Sequence, residues 1–172
     1  MEGDAQAFRV LVERETPGVF RICYRILGRA DEAEDATQET FVKAYRALGT
    51  FRGDGHPAAW LRRIATRESW RRAADRSRQR SMTAQLDVSA EWIASDVPCP
   101  AAATIDSEER ERVRLAVEGL PEPYREVVTL RFFGELSLLE ICAATERPEG
   151  TVKAQLHRGL KRLRSTLEGA AA

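Results

Sequence analysis

Three stretches of the chain gather side chains suited to recognition rather than to bond making. After Pro57, Arg62, Arg63, Arg67, Arg71 and Arg72 recur at helical spacing with Trp60 and Trp70, next to a loop holding Phe51. Guanidinium groups that follow a phosphate backbone and aromatic faces that stack on unpaired bases are the components of a single-strand-binding surface. Helical period places Trp60 on the apolar side and commits Trp70 less. Near the other end, residues 151–164 carry five bases and no acid. A basic helix of this kind fits the major groove, its N-terminal residues reaching base edges and its cations meeting phosphates. The third stretch, 31–39, carries five acids and no base, the charge favoured at a helix N-terminus. Catalysis is not expected. Asp54 and His56 share a glycine-rich loop without a third partner, and no nucleophile–base pair or phosphate-binding glycine loop is present. Cys23, Cys99 and Cys142 are far apart, form no CxxC pair and lie away from His56 and His157, so no zinc site, other metal or cofactor is expected. Cys23 and Cys142 read as buried, reduced thiols.

The 172-residue chain has a net charge of zero that conceals strong sorting. Residues 52–80 hold nine arginines against three acids, and 81–109 hold six acids and neither Lys nor Arg. Two basic blocks separated by acidic ones imply two anion-binding surfaces. No apolar run approaches the roughly 18 residues of a membrane span, and the opening Met1-Glu2-Gly3-Asp4 is unlike a signal peptide. The expected location is cytoplasmic, without membrane insertion.

The elements that must carry these groups are all helical. Residues 4–15 and 17–28 read as two short helices, with Pro17 in a first turn and Gly28 as a C-terminal cap. Ala33, Ala36, Thr37, Thr40, Phe41, Ala44 and Leu48 form the clearest stripe, ended by Gly49, and Pro57 opens a helix with Trp60, Leu61, Ile64 and Ala65 on its apolar side. The pattern lapses from about 75 to 108, a stretch read as an acidic linker with a short docking helix near Trp92. Helices resume at about 106–118 and from Glu122 to Phe133. Ser137, with Glu140 as capping-box partner, starts a short helix Leu138–Ala144, and Pro148 starts the last, striped by Val152, Leu156, Leu160, Leu163 and Leu167. Short helix, turn and basic helix make a helix-turn-helix. The expected fold is all-α, two small helical domains joined by an acidic linker: 1–80, linker 81–107, and 108–172.

The stretch Ala33-Glu34-Asp35-Ala36-Thr37-Gln38-Glu39-Thr40-Phe41-Val42-Lys43-Ala44-Tyr45-Arg46 resembles region 2.2 of bacterial sigma factors. Phe51-Arg52-Gly53, Ala59-Trp60-Leu61 and Arg63-Ile64-Ala65 are similar to regions 2.3 and 2.4. Leu120-Pro121, Tyr124-Arg125, Leu130-Arg131, Leu136-Ser137, Glu140-Ile141, Pro148-Glu149-Gly150-Thr151-Val152-Lys153 and Leu156-His157-Arg158 are similar to region 4. The resemblance is to the two-domain extracytoplasmic function (ECF) group. It implies a promoter-specificity subunit of RNA polymerase with no chemistry of its own. It implies docking of Glu34, Asp35, Gln38, Glu39 and Phe41 on the β′ clamp coiled coil, with the β subunit a further contact. It implies capture of melted −10 DNA by Phe51, Arg52, Asp54, His56, Trp60, Arg63, Arg67 and Arg71. For the −35 duplex it implies Arg131, Thr151, Lys153, Gln155, His157 and Arg158. The absence of a sensor segment makes an anti-sigma factor an expected partner beside polymerase and promoter DNA.

The chain departs from the family pattern at three places. Arg67 stands where Asn is common, Ala154 and Gln155 replace a usual Ser and Arg, and Thr145-Glu146-Arg147 replaces a turn that usually contains Gly. Altered −10 and −35 preference and a differently built turn are expected from them. A stand-alone helix-turn-helix regulator is the rival reading, and a helical adaptor that binds no DNA the third. The regulator reading leaves the 31–48 motif and the Trp/Arg helix without a purpose.

Overall fold

The computed structural model describes residues 2–51, 56–83 and 107–169. Arg52 and Asp54, together with Trp92 and its expected docking helix, lie outside them. Helix α1 (Glu2–Leu27), α2 (Ala30–Arg46), a 3-10 turn (Leu48–Thr50) and α3 (Pro57–Thr83) form the first unit; α4 (Ser107–Glu118), α5 (Tyr124–Phe132), α6 (Leu138–Thr145) and α7 (Glu149–Gly169) form the second.

The two short N-terminal helices expected from Pro17 are one continuous helix, with Pro17 inside it. Proline there forfeits one helical hydrogen bond. The helix persists because its apolar face is unbroken. Phe8 and Leu11 before the proline, and Val19, Ile22, Cys23 and Ile26 after it, pack into the same core. Gly28 then ends the helix at φ 73°, its N–H donating to the Tyr24 carbonyl at 2.8 Å, as a glycine cap should.

On α2, Ala33, Ala36, Thr37, Thr40 and Ala44 are buried, and their small size lets α2 lie close to its neighbours. Thr37 and Thr40 donate to the Ala33 and Ala36 carbonyls at 2.7 Å, which satisfies both buried hydroxyls. Helix α3 is enclosed on nearly all sides: Ala59, Leu61, Ala65, Thr66, Glu68, Ser69, Trp70 and Ala73 are buried. It has α1 and α2 on one flank and α5 and α6 on the other.

In the second unit the capping box forms as expected. The Glu140 N–H donates to Ser137 Oγ at 3.3 Å and the Ser137 N–H to Glu140 Oε2 at 2.8 Å. The turn without glycine is built in the glycine manner, Glu146 taking φ 55°, ψ 36°. A left-handed residue with a side chain costs on the order of 1 kcal/mol. Helix α7 packs on α5 through Gly159, where an added Cβ would stand 2.8 Å from Val128 Cγ2. That register turns Leu160 outward, so it is not part of the buried stripe expected for it, whereas Val152 is buried and Leu156 and Leu163 are half-buried.

Within the first unit, the buried Glu68 carboxylate holds α2 and α3 together. It accepts from Lys43 on α2, from Arg71 at 2.6 Å and from Arg72 at 3.0 Å. Burial pushes the Glu68 carboxyl up, but bonds from Arg71, Lys43 and Arg72 outweigh it and hold it at about 2. A carboxylate lowered on folding contributes stability that is complete above its ordinary value and is lost as pH falls toward the folded one. Glu68→Gln is therefore expected to cost roughly 3 kcal/mol near neutral pH. The difference from the parent should shrink below pH ~4. Urea unfolding of both proteins at neutral and acidic pH checks this, and a pH-independent difference would contradict it.

Candidate nucleic-acid and protein interfaces

The exposed face of α2 carries Glu34, Asp35 and Gln38, with Glu39 half-buried and 3.8 Å from Lys43. Phe41 is half-buried against the core. The same face continues into two apolar residues that the sequence reading left out, Val42 and Tyr45, 43% and 56% exposed. Asp35, Gln38, Val42 and Tyr45 follow one another at three- and four-residue spacing, so acid, amide and apolar groups form one stripe. The Tyr45 ring is braced by Phe8 of α1 at 5.3 Å.

Phe51 and Trp60 come together with ring centroids 5.2 Å apart. Both line an apolar cavity of about 520 Å³ with Phe8, Val10, Leu11 and Leu48. His56 is exposed just before α3, its carbonyl accepting from the Trp60 N–H at 3.1 Å. The arginines expected to extend this surface do not form one array. Arg62 donates to the Gly134 carbonyl at 2.9 Å, and Arg76 to the Leu27 carbonyl at 3.1 Å and Glu32 at 2.8 Å. Arg71 is held by Glu68 and Asp75, and Arg72 by Glu68. Arg63 and Arg67 both reach Glu126 Oε1 of α5, through Nε, at 3.0 and 3.1 Å.

Trp70, which the helical period left uncommitted, is settled by the fold. The ring is buried and its Nε1–H donates to Thr129 Oγ1 of α5 at 3.1 Å, whereas Trp60 is only half-buried. Period alone favoured Trp60 for the core because it treats α3 as having one buried side. The contact with α5 supplies a second.

On α7, Thr151, Lys153, His157 and Arg158 are exposed, opposite the face that carries Val152, Leu156 and Gly159. Lys153 pairs with Glu149 at 2.6 Å. Gln155 is half-buried and accepts from Arg147 Nη1 at 3.3 Å. Ala154 sits near the centre of the exposed face, so the departure there removes a polar group from its middle. Arg158, Lys161, Arg162 and Ser165 line a shallow basic cavity further along, and Arg131 donates to the Leu136 carbonyl at 2.8 Å.

A group the sequence reading did not single out is Glu126, buried at 5% exposure. Beside Arg63 and Arg67 it meets Arg147 Nη2, 2.7 Å from its Oε2. Burial raises its carboxyl, but Arg63, Arg67 and Arg147 outweigh that and hold it below the ordinary carboxylate value. The signal in the sequence is an acid heading the apolar run Val127-Val128-Thr129-Leu130, which requires a cationic partner.

Residues 11–79 match the family described as Sigma-70 region 2, and residues 110–163 match Sigma-70, region 4. The chain is 34% identical over 175 residues to the ECF RNA polymerase sigma factor SigW of Bacillus subtilis, covering 96% of this chain and 91% of the relative. The chain belongs to the ECF group of sigma-70 factors. The ECF RNA polymerase sigma-E factor of Escherichia coli K12 is 34% identical over 162 residues, covering 91% of this chain and 84% of that one. Two solved structures share the fold at 22% identity. One is the sigma factor RpoE with the anti-sigma factor NepR from Bartonella quintana, TM-score 0.58, covering 96% of this chain and 97% of that one. The other is CnrH with the cytosolic domain of CnrY, TM-score 0.60, covering 98% and 92%. Sigma factors are specificity subunits of RNA polymerase rather than enzymes, and the stand-alone regulator has no use for the region 2 match. Among the described residues no helix is long and apolar enough to cross a membrane.

The buried indole bond between the two units gives a direct check. Trp70→Phe keeps the ring and deletes the donor, leaving Thr129 Oγ1 without it. Stability should fall by about 1 kcal/mol in urea unfolding. An unchanged midpoint would mean that the bond is replaced by water at no cost.

Proposed function

We propose that this ECF sigma factor, a cytoplasmic protein, binds core RNA polymerase through α2 and directs it to promoters by reading a −35 duplex and melted −10 DNA. The observation that carries the reading is the separation of two exposed faces of opposite character. One is the acidic and apolar stripe of α2, with Glu34, Asp35, Gln38 and Glu39 as docking residues and Phe41 behind them. The other is the basic face of α7, with Thr151, Lys153, His157 and Arg158. The first suits a basic or apolar protein partner such as the β′ coiled coil, and the second suits DNA phosphate and base edges. Gln155 and Arg131 flank the −35 surface. The Phe51–Trp60 cavity takes the −10 strand together with Arg52, Asp54, His56, Arg63, Arg67 and Arg71, stacking supplying much of the affinity. The proposed division is region 2 over 1–80, a linker over 81–107, and region 4 over 108–172. An anti-sigma factor is the proposed regulatory partner, supported by the two fold relatives solved with such partners.

Asp35→Arg reverses the charge of a side chain that is 71% exposed. It should abolish retention on core polymerase in a pull-down while leaving thermal unfolding of the free protein unchanged. Equal retention would remove α2 from the docking role. Arg158→Ala should weaken −35 discrimination by about 1–3 kcal/mol if the side chain contacts a base. Transcription from a pool of randomised promoters by the reconstituted holoenzyme reads this directly. Unaltered −35 preference would take Arg158 out of the reader, and recovery of no two-part motif would overturn the proposal as a whole.

A further inference from the structure

We infer that Arg147 is a positioning residue for the −35 reader: it holds the Gln155 amide with its carbonyl toward the protein and its NH2 group outward, so that α7 selects guanine over adenine at the base pair Gln155 meets. The inference rests on the −35 reading above and names the specificity of one of its contacts.

Arg147 sits in the turn between α6 and α7, its N–H donating to the Cys142 carbonyl at 3.2 Å. Its side chain joins two helices. Nη2 lies 2.7 Å from Oε2 of Glu126 on α5, and Nη1 donates to Oε1 of Gln155 on α7 at 3.3 Å. Glu126 is buried and the Arg147 side chain is only 25% exposed, so the guanidinium reaches Gln155 from the protein side. All three groups belong to the second unit. Arginine carries donors and no acceptor. The amide atom beside it is therefore the oxygen, and the other end of the amide, with its two N–H donors, is directed away. Two departures from the family pattern are thereby joined. The arginine usual at 155 is replaced by an amide, and an arginine in the altered turn orients that amide.

Gln155 follows Thr151 by four residues and precedes Arg158 by three, and both of these are exposed. In the major groove an amide with both ends free reads adenine, accepting from N6 and donating to N7. That pairing needs the carbonyl. With its carbonyl engaged, Gln155 brings donors alone. Guanine offers two acceptors at this edge, N7 and O6, whereas adenine sets its N6 donor against the amide. Cytosine presents a donor and thymine a single acceptor, so guanine is the best match.

Lysine at 147 separates the two contacts. Its ammonium is one point of charge without the fork that reaches two partners at once. In Arg147→Lys the buried Glu126 carboxylate claims that charge, the ion pair is kept, and Gln155 is released to turn.

Transcription from promoters randomised across the −35 element, by holoenzyme reconstituted with the full chain, compares the parent with Gln155→Ala and Arg147→Lys. One base pair of the parent motif should prefer guanine over adenine by about tenfold, and Gln155→Ala should flatten that pair alone. Arg147→Lys should raise adenine at the same pair by about tenfold and leave the other pairs unchanged. A base other than guanine there in the parent, or a Gln155→Ala motif identical with the parent's, would overturn the donor assignment. A lysine variant that keeps the parent motif, or that weakens every promoter equally, would reduce Arg147 to a support for the turn and overturn the positioning role. Should these tests fail while Arg158→Ala still alters −35 preference, the −35 reading stands. A parent whose recovered motif has no −35 element removes that reading as well.

Discussion

One buried carboxylate shared by three guanidinium groups is the constraint on which the arrangement of the two units depends. Glu126 cannot be ionised in the protein interior without cations beside it, because the cost of desolvating a lone charge is several kcal/mol. Its partners come from two places in the fold, Arg63 and Arg67 on α3 and Arg147 in the turn before α7. Satisfying one acid therefore sets where α3 lies relative to the helix-turn-helix. The neighbouring bond from Trp70 to Thr129 and the burial of Ala59 follow from the same placement.

Helix α3 shows why a basic helix in a nucleic-acid-binding family need not present a free basic surface. Each described arginine from Arg62 to Arg78 has an intramolecular acceptor, either a carboxylate or a backbone carbonyl. Glu68 and Glu126 differ in what they join. Glu68 ties α3 to α2 within one unit and is a fixture of its core. Glu126 ties α3 to the other unit, beside a core that the two units share through Ala59, Trp70, Val117 and Val128. Arg67, with 62% of its side chain facing solvent, is the most exposed of the three arginines that meet Glu126.

The three candidate surfaces, on α2, α3 and α7, are left in unequal states by this packing. The outer face of α7 is open, since its apolar residues are spent on α5 through Gly159 and Val152. The α2 stripe is open as well, because its small residues pack inward and its acids and Tyr45 point away. The α3 surface is the one engaged.

The helical elements, their caps and the two exposed recognition faces were legible in the amino-acid order because each depends on neighbours within a few residues. The capping box at Ser137 and Glu140, the Gly28 cap and the α2 stripe are local chemistry. The family motifs are also contiguous. Local rules misplaced what depends on the second neighbour of a helix. Pro17 reads as a start, yet the continuous apolar face on both sides of it carries α1 through. Leu160 fits the stripe by period, but the close approach at Gly159 rotates it outward. Trp70 and the arginines of α3 look free in sequence because Thr129, Gly134 and Glu126 lie about 60 or more residues away. An acid in an apolar run announces that it needs a cation. Only the tertiary structure decides which cation, because pairing over that distance is set by how whole helices pack and not by the spacing of side chains along one of them.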